Sequence, residues 1–297
     1  MGIQEGPKKL GSQIRAGTLA VPGVFNAFTA RLVENAGFPA VYVSGAGLSA
    51  SRAMPDIGLL TMTEVATATR HIVQMINIPV IVDADTGFGE VHHVNRAVGE
   101  LESAGAAGIQ LEDQIMAKRC GHLPGKELID SKAMSLKIAA AVEAKHNPNL
   151  LIIARTDARA KEGLDGAIHR ALTYRDAGAD AIFPEALESA EEFESFANAM
   201  NDPAVILVAN MTEWGNTPLL SVTEFSQMGY QIVLFPMTLF RMMAKGMEEA
   251  LDELKKSGTQ KALLERMQSR SELYEVLHYD GNGQIAGVGK AGMSWKR

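Results

Sequence analysis

A single cysteine in 297 residues excludes an internal disulfide. The chain is therefore expected in a reducing, cytoplasmic compartment, and Cys120 is left as either an inert core thiol or a reactive one. Long apolar runs are also missing. No stretch approaches the roughly 20 residues that span a bilayer, so no membrane partner is expected. The opening residues, MGIQEGPKKLGSQIRAG, have no apolar centre to serve as a secretory signal. They are neither arginine-rich nor free of acids, as a transit peptide would be, and Gly6 stands where a myristoylation motif needs Ser or Thr. Nor is there an excess of positive charge: 28 Lys and Arg face 35 Asp and Glu, for a net charge of −7. With no basic stripe, nucleic acid is not an expected partner. A polyanionic small molecule would be repelled at long range, so a site for one needs local cations.

What is present is a regular beat. Hydrophobic residues at 46% and charged residues at 21% give the balance of a soluble globular enzyme, and the length suits one large α/β barrel or two ordinary domains. Short apolar, β-branched runs recur at 19–21, 40–43, 80–83, 108–111, 151–154, 181–183, 205–209 and 232–235. They are nearly all apolar rather than alternating, which predicts buried parallel strands. Helical patterns lie between them at 27–35, 63–76, 94–103, 131–144, 164–176 and 190–200. Ala36-Gly37, Ala104-Gly105, Ala177-Gly178 and Met228-Gly229 each close a helix before a strand, where glycine takes a left-handed position without a Cβ clash. Eight such units predict a TIM (β/α)8 barrel. No linker of Pro, Ser or charge repeats interrupts it, so residues 1–297 are read as one domain. A helical segment at 255–277 belongs to a C-terminal extension from about 255 to 297.

Polar residues follow almost every strand. Ser44-Gly45-Ala46, Asp83-Ala84-Asp85, Glu112-Asp113, Arg155-Thr156-Asp157, Pro184-Glu185, Asn210-Met211-Thr212 and Pro236, with Arg241 shortly after, all fall there. In a barrel these positions gather at the C-terminal mouth, where active sites of this fold sit. Asp83 and Asp85 lie two apart on one strand end, which directs both to the same side. With Glu112 at the next strand end, they suggest a magnesium site of carboxylates and water rather than helix caps. Breaking a carbon–carbon bond beside an alkoxide requires such a cation, which lowers the hydroxyl's pKa and steadies the carbonyl that forms. Lys118, Arg119 and His122 flank Cys120, and cations tune thiol acidity. Gly121 and Gly125 would let that segment close over a site and exclude water. A lone cysteine with one near histidine lacks the ligands of a structural zinc site.

Two features point elsewhere. Gly45-Ala46-Gly47-Leu48-Ser49-Ala50 meets the loose dinucleotide pattern GxGxxA, which would have to open a helix onto a pyrophosphate. It runs instead into the turn-forming Met54-Pro55-Asp56-Ile57-Gly58, so no nucleotide is expected. His92 and His93 point in different directions on a helix and read as surface positions, as do His71, His146, His169 and His278.

From about Gly17 to about Leu277 the chain resembles the isocitrate lyase and phosphoenolpyruvate mutase superfamily. The resemblance is carried by VYVSGAG (41–47), MPDIG (54–58), VDADTGFG (82–89), LEDQ (111–114), KRCGH (118–122), ARTDA (154–158) and FPEA (183–186). NMTEWGNTPL (210–219), LFPMTLFR (234–241) and GTQKALLERMQSRSELYE (258–275) extend it. It implies a Mg2+-dependent carbon–carbon lyase, with Mn2+ as a substitute, working as a homotetramer whose C-terminal helix is exchanged between neighbours. Asp83 and Asp85 would hold the metal, with Glu112 acting partly through water. Cys120 would be the catalytic acid, supported by Asp56, Lys118 and His122. Ser44, Gly45, Ala46, Cys120, Gly121, Arg155, Glu185, Asn210, Met211, Thr212, Arg241 and Arg270 would bind substrate. The superfamily often has a second glycine where Ala46 stands, a change small enough to leave the backbone contacts intact.

Three guanidiniums, Arg155, Arg241 and Arg270, suit a tricarboxylate. The phosphonate-forming mutases lack counterparts of the last two. Phe183, Leu234 and Pro236 match the set that lodges a methyl group on such a substrate, a difference of only about 1–3 kcal/mol against the unmethylated homologue. Isocitrate cleavage, oxaloacetate decarboxylation or hydrolysis, and phosphonomutase chemistry are the rivals on this scaffold. The base for the substrate hydroxyl is open among Tyr42, Asp56 and Glu185.

Overall fold

The computed structural model describes residues 5–119, 121 and 125–279. Eight parallel strands close in sequence order into a barrel, β1 pairing with β8. The chain opens with helix α1 (Glu5–Ala16), then β1 (Leu19–Val24), α2 (Ala27–Asn35), β2 (Val41–Val43), a short α3 (Gly45–Ala50) and α4 (Met62–Met75). The units continue as β3 (Val80–Asp83), α5 (Val91–Ser103), β4 (Gly108–Glu112), α6 (Ser131–Ala144), β5 (Leu151–Thr156) and α7 (Arg159–Asp176). They finish as β6 (Ala181–Pro184), α8 (Ala190–Met200), β7 (Ile206–Asn210), α9 (Val222–Gln227), β8 (Ile232–Phe235) and α10 (Thr238–Ser257). A 3-10 turn (Lys261–Arg266) and α11 (Arg270–Leu277) follow. The expected TIM barrel is the observed fold.

Strand alternation divides the interior in two. Val41, Val43, Val80, Val82, Ile109, Ile152, Ile182 and Val233 face the helices and join the larger apolar cluster. Their neighbours Tyr42, Ile81, Ile153, Phe183, Val208, Ile232 and Leu234 face the barrel axis. Both faces are covered, which is why the strands read as continuous apolar runs. Leu10 and Ile14 of α1 belong to the inner cluster, so α1 closes the bottom of the barrel. Its polar composition hid that role in the sequence. Gly23 permits closure at the β1–β8 seam, because a Cβ there would collide with the backbone of Pro236.

The glycine joints act as read. Gly37, Gly105, Gly178 and Gly229 all have positive φ, and in each the next residue's amide bonds back into the preceding helix, as Ala106 does to Leu101 at 3.1 Å. The helix expected from 164 starts earlier, at Arg159, with a left-handed break at Gly163 that divides it. Two expectations are corrected. The GxGxxA segment does open a helix, α3, directly after β2, capped by Ser44, whose Oγ accepts from the Gly47 amide at 3.1 Å. The segment at 255–277 is not one continuous helix: its first residues end α10, Gly258 turns left-handed, and α11 begins at Arg270.

Helix α10 departs from the usual pattern. None of its residues is buried, and Met242, Met247, Leu251 and Leu254 are exposed. Between its first turns and the β1–α2 unit lies an apolar groove of about 520 Å3, lined by Phe28, Leu32, Phe38, Leu239 and Met243 among others. α11 rests on α2, where Arg31 donates to the Val276 carbonyl at 3.0 Å. No helix among the described residues is long and apolar enough to cross a membrane.

Candidate active site

A cavity of about 130 Å3 opens at the C-terminal mouth of the barrel. Tyr42, Ser44, Ala46, Asp56, Asp83, Lys118, Gly121, Arg155, Phe183, Glu185, Asn210, Thr212, Leu234, Pro236 and Arg241 all line it. Inward alternation accounts for six of them, since Tyr42, Asp83, Arg155, Phe183, Asn210 and Leu234 continue the inner face of their strands to its open end. Cys120 and His122 lie outside the described residues. Met211 is buried in the outer cluster, with its amide donating to the Leu234 carbonyl at 2.8 Å. Alternation turns its side chain away from the cavity that Asn210 and Thr212 face. Arg270 is exposed at the start of α11 and does not line the cavity of its own chain.

The acidic side is tightly organised. Asp83 accepts through Oδ1 from the Asp85 amide at 3.1 Å and from Gln110 Nε2 at 3.2 Å, and through Oδ2 from the Gly45 amide at 3.3 Å. The helix that GxGxxA opens therefore meets a carboxylate rather than a pyrophosphate. Asp85 sits in a left-handed turn, φ 47°, that departs from the extended strand expected there. Lys118 Nζ lies 2.7 Å from Asp85 Oδ1 and 2.6 Å from Asp56 Oδ1. Burial raises the Asp85 pKa to about 6; Lys118 opposes this, and Asp83 and Asp56 add to it. Glu112 is fully buried, and burial pushes it well above the usual carboxylate range against the pull of Arg155 and Lys118.

These acids fit a hard cation. Arg155 Nη1 approaches Glu112 Oε2 at 3.2 Å without hydrogen-bond alignment, and among the described residues neither Glu112 oxygen accepts a hydrogen bond. Buried carboxylate oxygens without donors are costly, and an ion or its waters would satisfy them. Among the described residues no three His, Cys, Asp or Glu side chains form a ready-made cage. Magnesium does not need one, because it keeps several waters and takes one or two carboxylates.

Tyr42 donates to Gln110 Oε1 at 2.6 Å, and Gln110 passes the chain on to Asp83. Burial foremost, then the charge of Asp83, raises the phenol well above its ordinary pKa. The hydroxyl base stays open among Tyr42, Asp56 and Glu185. Asn210 Nδ2 donates to both Glu185 oxygens, at 3.3 and 3.2 Å. Arg155 is held by Asp157, with Nε to Oδ2 at 3.0 Å and Nη2 to Oδ1 at 3.1 Å, and its guanidinium lies 5.3 Å from the Phe183 ring centroid. Arg241 pairs with Glu213 at 3.2 Å and stacks on Trp214 at 4.9 Å. Gln110, Asp157, Glu213 and Trp214 escaped the sequence reading as site residues. For Gln110 a signal existed, because a lone polar residue two before Glu112 on an apolar strand shares its inward face.

A closed parallel barrel with an acidic and guanidinium-lined mouth defines an enzyme of the TIM-barrel class, with its site at the strand ends. Residues 12–255 match the phosphoenolpyruvate phosphomutase family model, and the chain belongs to that family. It is 51% identical over 261 residues to a 2-methylisocitrate lyase of Aeropyrum pernix, covering 88% of this chain and 83% of that one. A crystal structure of 2,3-dimethylmalate lyase superposes with a TM-score of 0.85 at 33% identity, covering 91% of each chain. A phosphonopyruvate hydrolase solved with oxalate and Mg2+ gives 0.82 at 29% identity, covering 91% of this chain and 94% of that one.

Proposed function

We propose that this chain cleaves 2-methylisocitrate to pyruvate and succinate with Mg2+, in propionate breakdown through the methylcitrate cycle. The observation that carries the reading is the cavity itself. Two guanidiniums, Arg155 from β5 and Arg241 from the first turn of α10, share it with an apolar wall of Phe183, Leu234 and Pro236. Charged forks for carboxylates beside a small dry wall suit a methyl-bearing polycarboxylate. Similarity to 2-methylisocitrate lyases supports the same substrate.

Asp83 and Asp85, with Glu112 through water, would hold the cation, whose chemistry when bound is to acidify the substrate hydroxyl and steady the nascent carbonyl. Tyr42, Asp56 or Glu185 takes the C2 hydroxyl proton. The C2–C3 bond then breaks, and its electron pair passes to C3 and into the adjacent carboxylate of the succinate half. Cys120 returns a proton to that carbon, completing the balance. Ser44, Gly45, Ala46, Gly121, Asn210 and Thr212 orient the substrate, and Lys118 adds positive charge beside the acids. Arg270 would serve a neighbouring subunit's site in a cytoplasmic homotetramer. The exposed apolar residues of α10 and the open groove beside β1 support an exchanged C-terminal helix, and the lone cysteine suits a reducing compartment. The barrel and its C-terminal helices are taken as one domain.

Product analysis tests the proposal. With magnesium and 2-methylisocitrate, isocitrate or oxaloacetate, pyruvate and succinate should form from the first alone, with at most slow release of glyoxylate and succinate from isocitrate. Inertness toward 2-methylisocitrate would sink it. Cys120→Ser should abolish turnover while substrate still binds, and normal turnover would remove Cys120 from its role.

A further inference from the structure

Lys126 has no part in the chemistry above, yet its side chain is only 4% exposed. The buried ammonium donates to the Gly121 carbonyl and to Asp157 Oδ1, the latter at 3.1 Å. Each partner touches the site. Gly121 is seated so closely that a Cβ there would collide with the Glu185 side chain and the Arg155 guanidinium. Asp157, fully buried, is the carboxylate that grips Arg155 through both oxygens. Asp157 is fixed in turn, because its amide donates to Asp113 Oδ1 at 2.9 Å and Asp113 is held by Thr156 and Tyr174, each at 2.8 Å.

Charge sharpens the picture. Arg155 lies within ion-pair distance of Glu112, Asp157 and Glu185, three carboxylates around one guanidinium. An incoming substrate carboxylate would compete with all three, and buried charges are poorly screened. Lys126 supplies a second cation on Asp157 Oδ1, the oxygen that Arg155 Nη2 also holds, and shares its charge.

We propose that Lys126 is a positioning residue of this site: by joining the Gly121 carbonyl to Asp157, it seats the backbone at 121 against Arg155 and leaves Arg155 able to take a substrate carboxylate. The second half of this role rests on the substrate class proposed above; the tether itself does not.

The test compares wild type, Lys126→Met and Lys126→Arg, each checked for a cooperative unfolding transition. The first readout needs no substrate. Cys120 is the chain's one cysteine and precedes Gly121, so iodoacetamide alkylation reports on a single position beside the tether. Losing a hydrogen bond to a charged group should raise the alkylation rate on the order of tenfold or more in Lys126→Met, with most of the effect reversed in Lys126→Arg. The second readout is turnover of 2-methylisocitrate with magnesium. A misplaced Arg155 should raise KM on the order of tenfold, whereas a merely structural defect would lower kcat through the active fraction and leave KM alone. Unchanged alkylation and KM in folded Lys126→Met would overturn the proposal, as would an arginine variant no better than the methionine one. Should Lys126→Met not fold, Lys126→Gln takes its place with the same outcomes. If the wild type is inert on 2-methylisocitrate, the proposed function fails, while the alkylation comparison still judges the tether.

Discussion

Asp85 is a carboxylate held where it is poorly solvated. Its pKa of about 6 in the folded chain stands above the ordinary 3.8. A raised acid contributes stability that is full below its unfolded pKa and lost as pH rises through its folded one. In the metal-free protein this group therefore works against folding at neutral pH, and a bound cation reverses that by favouring the charged form. Magnesium should raise the melting temperature more at about pH 7.5 than near pH 5, read by thermal unfolding with and without chelator. An equal or larger rise at the acid end would refute this role for Asp85. The site's polar set was legible in the sequence because strand ends in a barrel converge, so Asp83, Arg155, Glu185 and Asn210 could be placed without coordinates. Gln110, Lys126 and Asp157 could not be assigned roles, because each acts by holding other residues, and the pairs Tyr42–Gln110 and Lys126–Asp157 span 68 and 31 positions. Met211 was misplaced because a polar triplet hides the alternation within it.

At the scale of elements, the strands and the joints between helix and strand were the most readable parts, since apolar runs and left-handed glycines leave local marks. α1 was missed because only two of its turns' residues, Leu10 and Ile14, plug the barrel while the rest is polar. The short α9, Val222–Gln227, carries too few residues for a helical period to stand out. The joints also give a graded prediction. Gly37 has φ 84° and nothing within 4 Å of a built Cβ, so Gly37→Ala should cost about 1 kcal/mol, the conformational penalty alone. Gly105 has φ 97°, and its Cβ would lie 2.6 Å from Val73 Cγ1. Gly105→Ala should cost about 3 kcal/mol or more, because overpacking adds to the same penalty. Urea unfolding of the two variants measures the difference, and equal losses would show that α4 yields freely at Val73.

For the whole molecule, the position of Arg270 makes a claim about assembly. If it completes a neighbour's site, Arg270→Ala and Asp83→Asn chains should each be inactive alone. Hybrids formed by dissociating and reassociating the two should regain turnover, because some sites then receive both native residues. No recovery in verified hybrids would return Arg270 to its own chain or remove it from the reaction. The apolar groove beside β1 carries a further consequence for the life of the protein before it is an enzyme. β1 and α2 leave the ribosome long before α10 is made, and α10, once made, buries none of its residues on its own barrel. A new chain thus finishes synthesis with this groove open, Phe38 exposed and Phe28 and Leu32 half-buried in it. In the homotetramer proposed above, sister chains would cover them, and expression level would then decide whether this protein matures or aggregates.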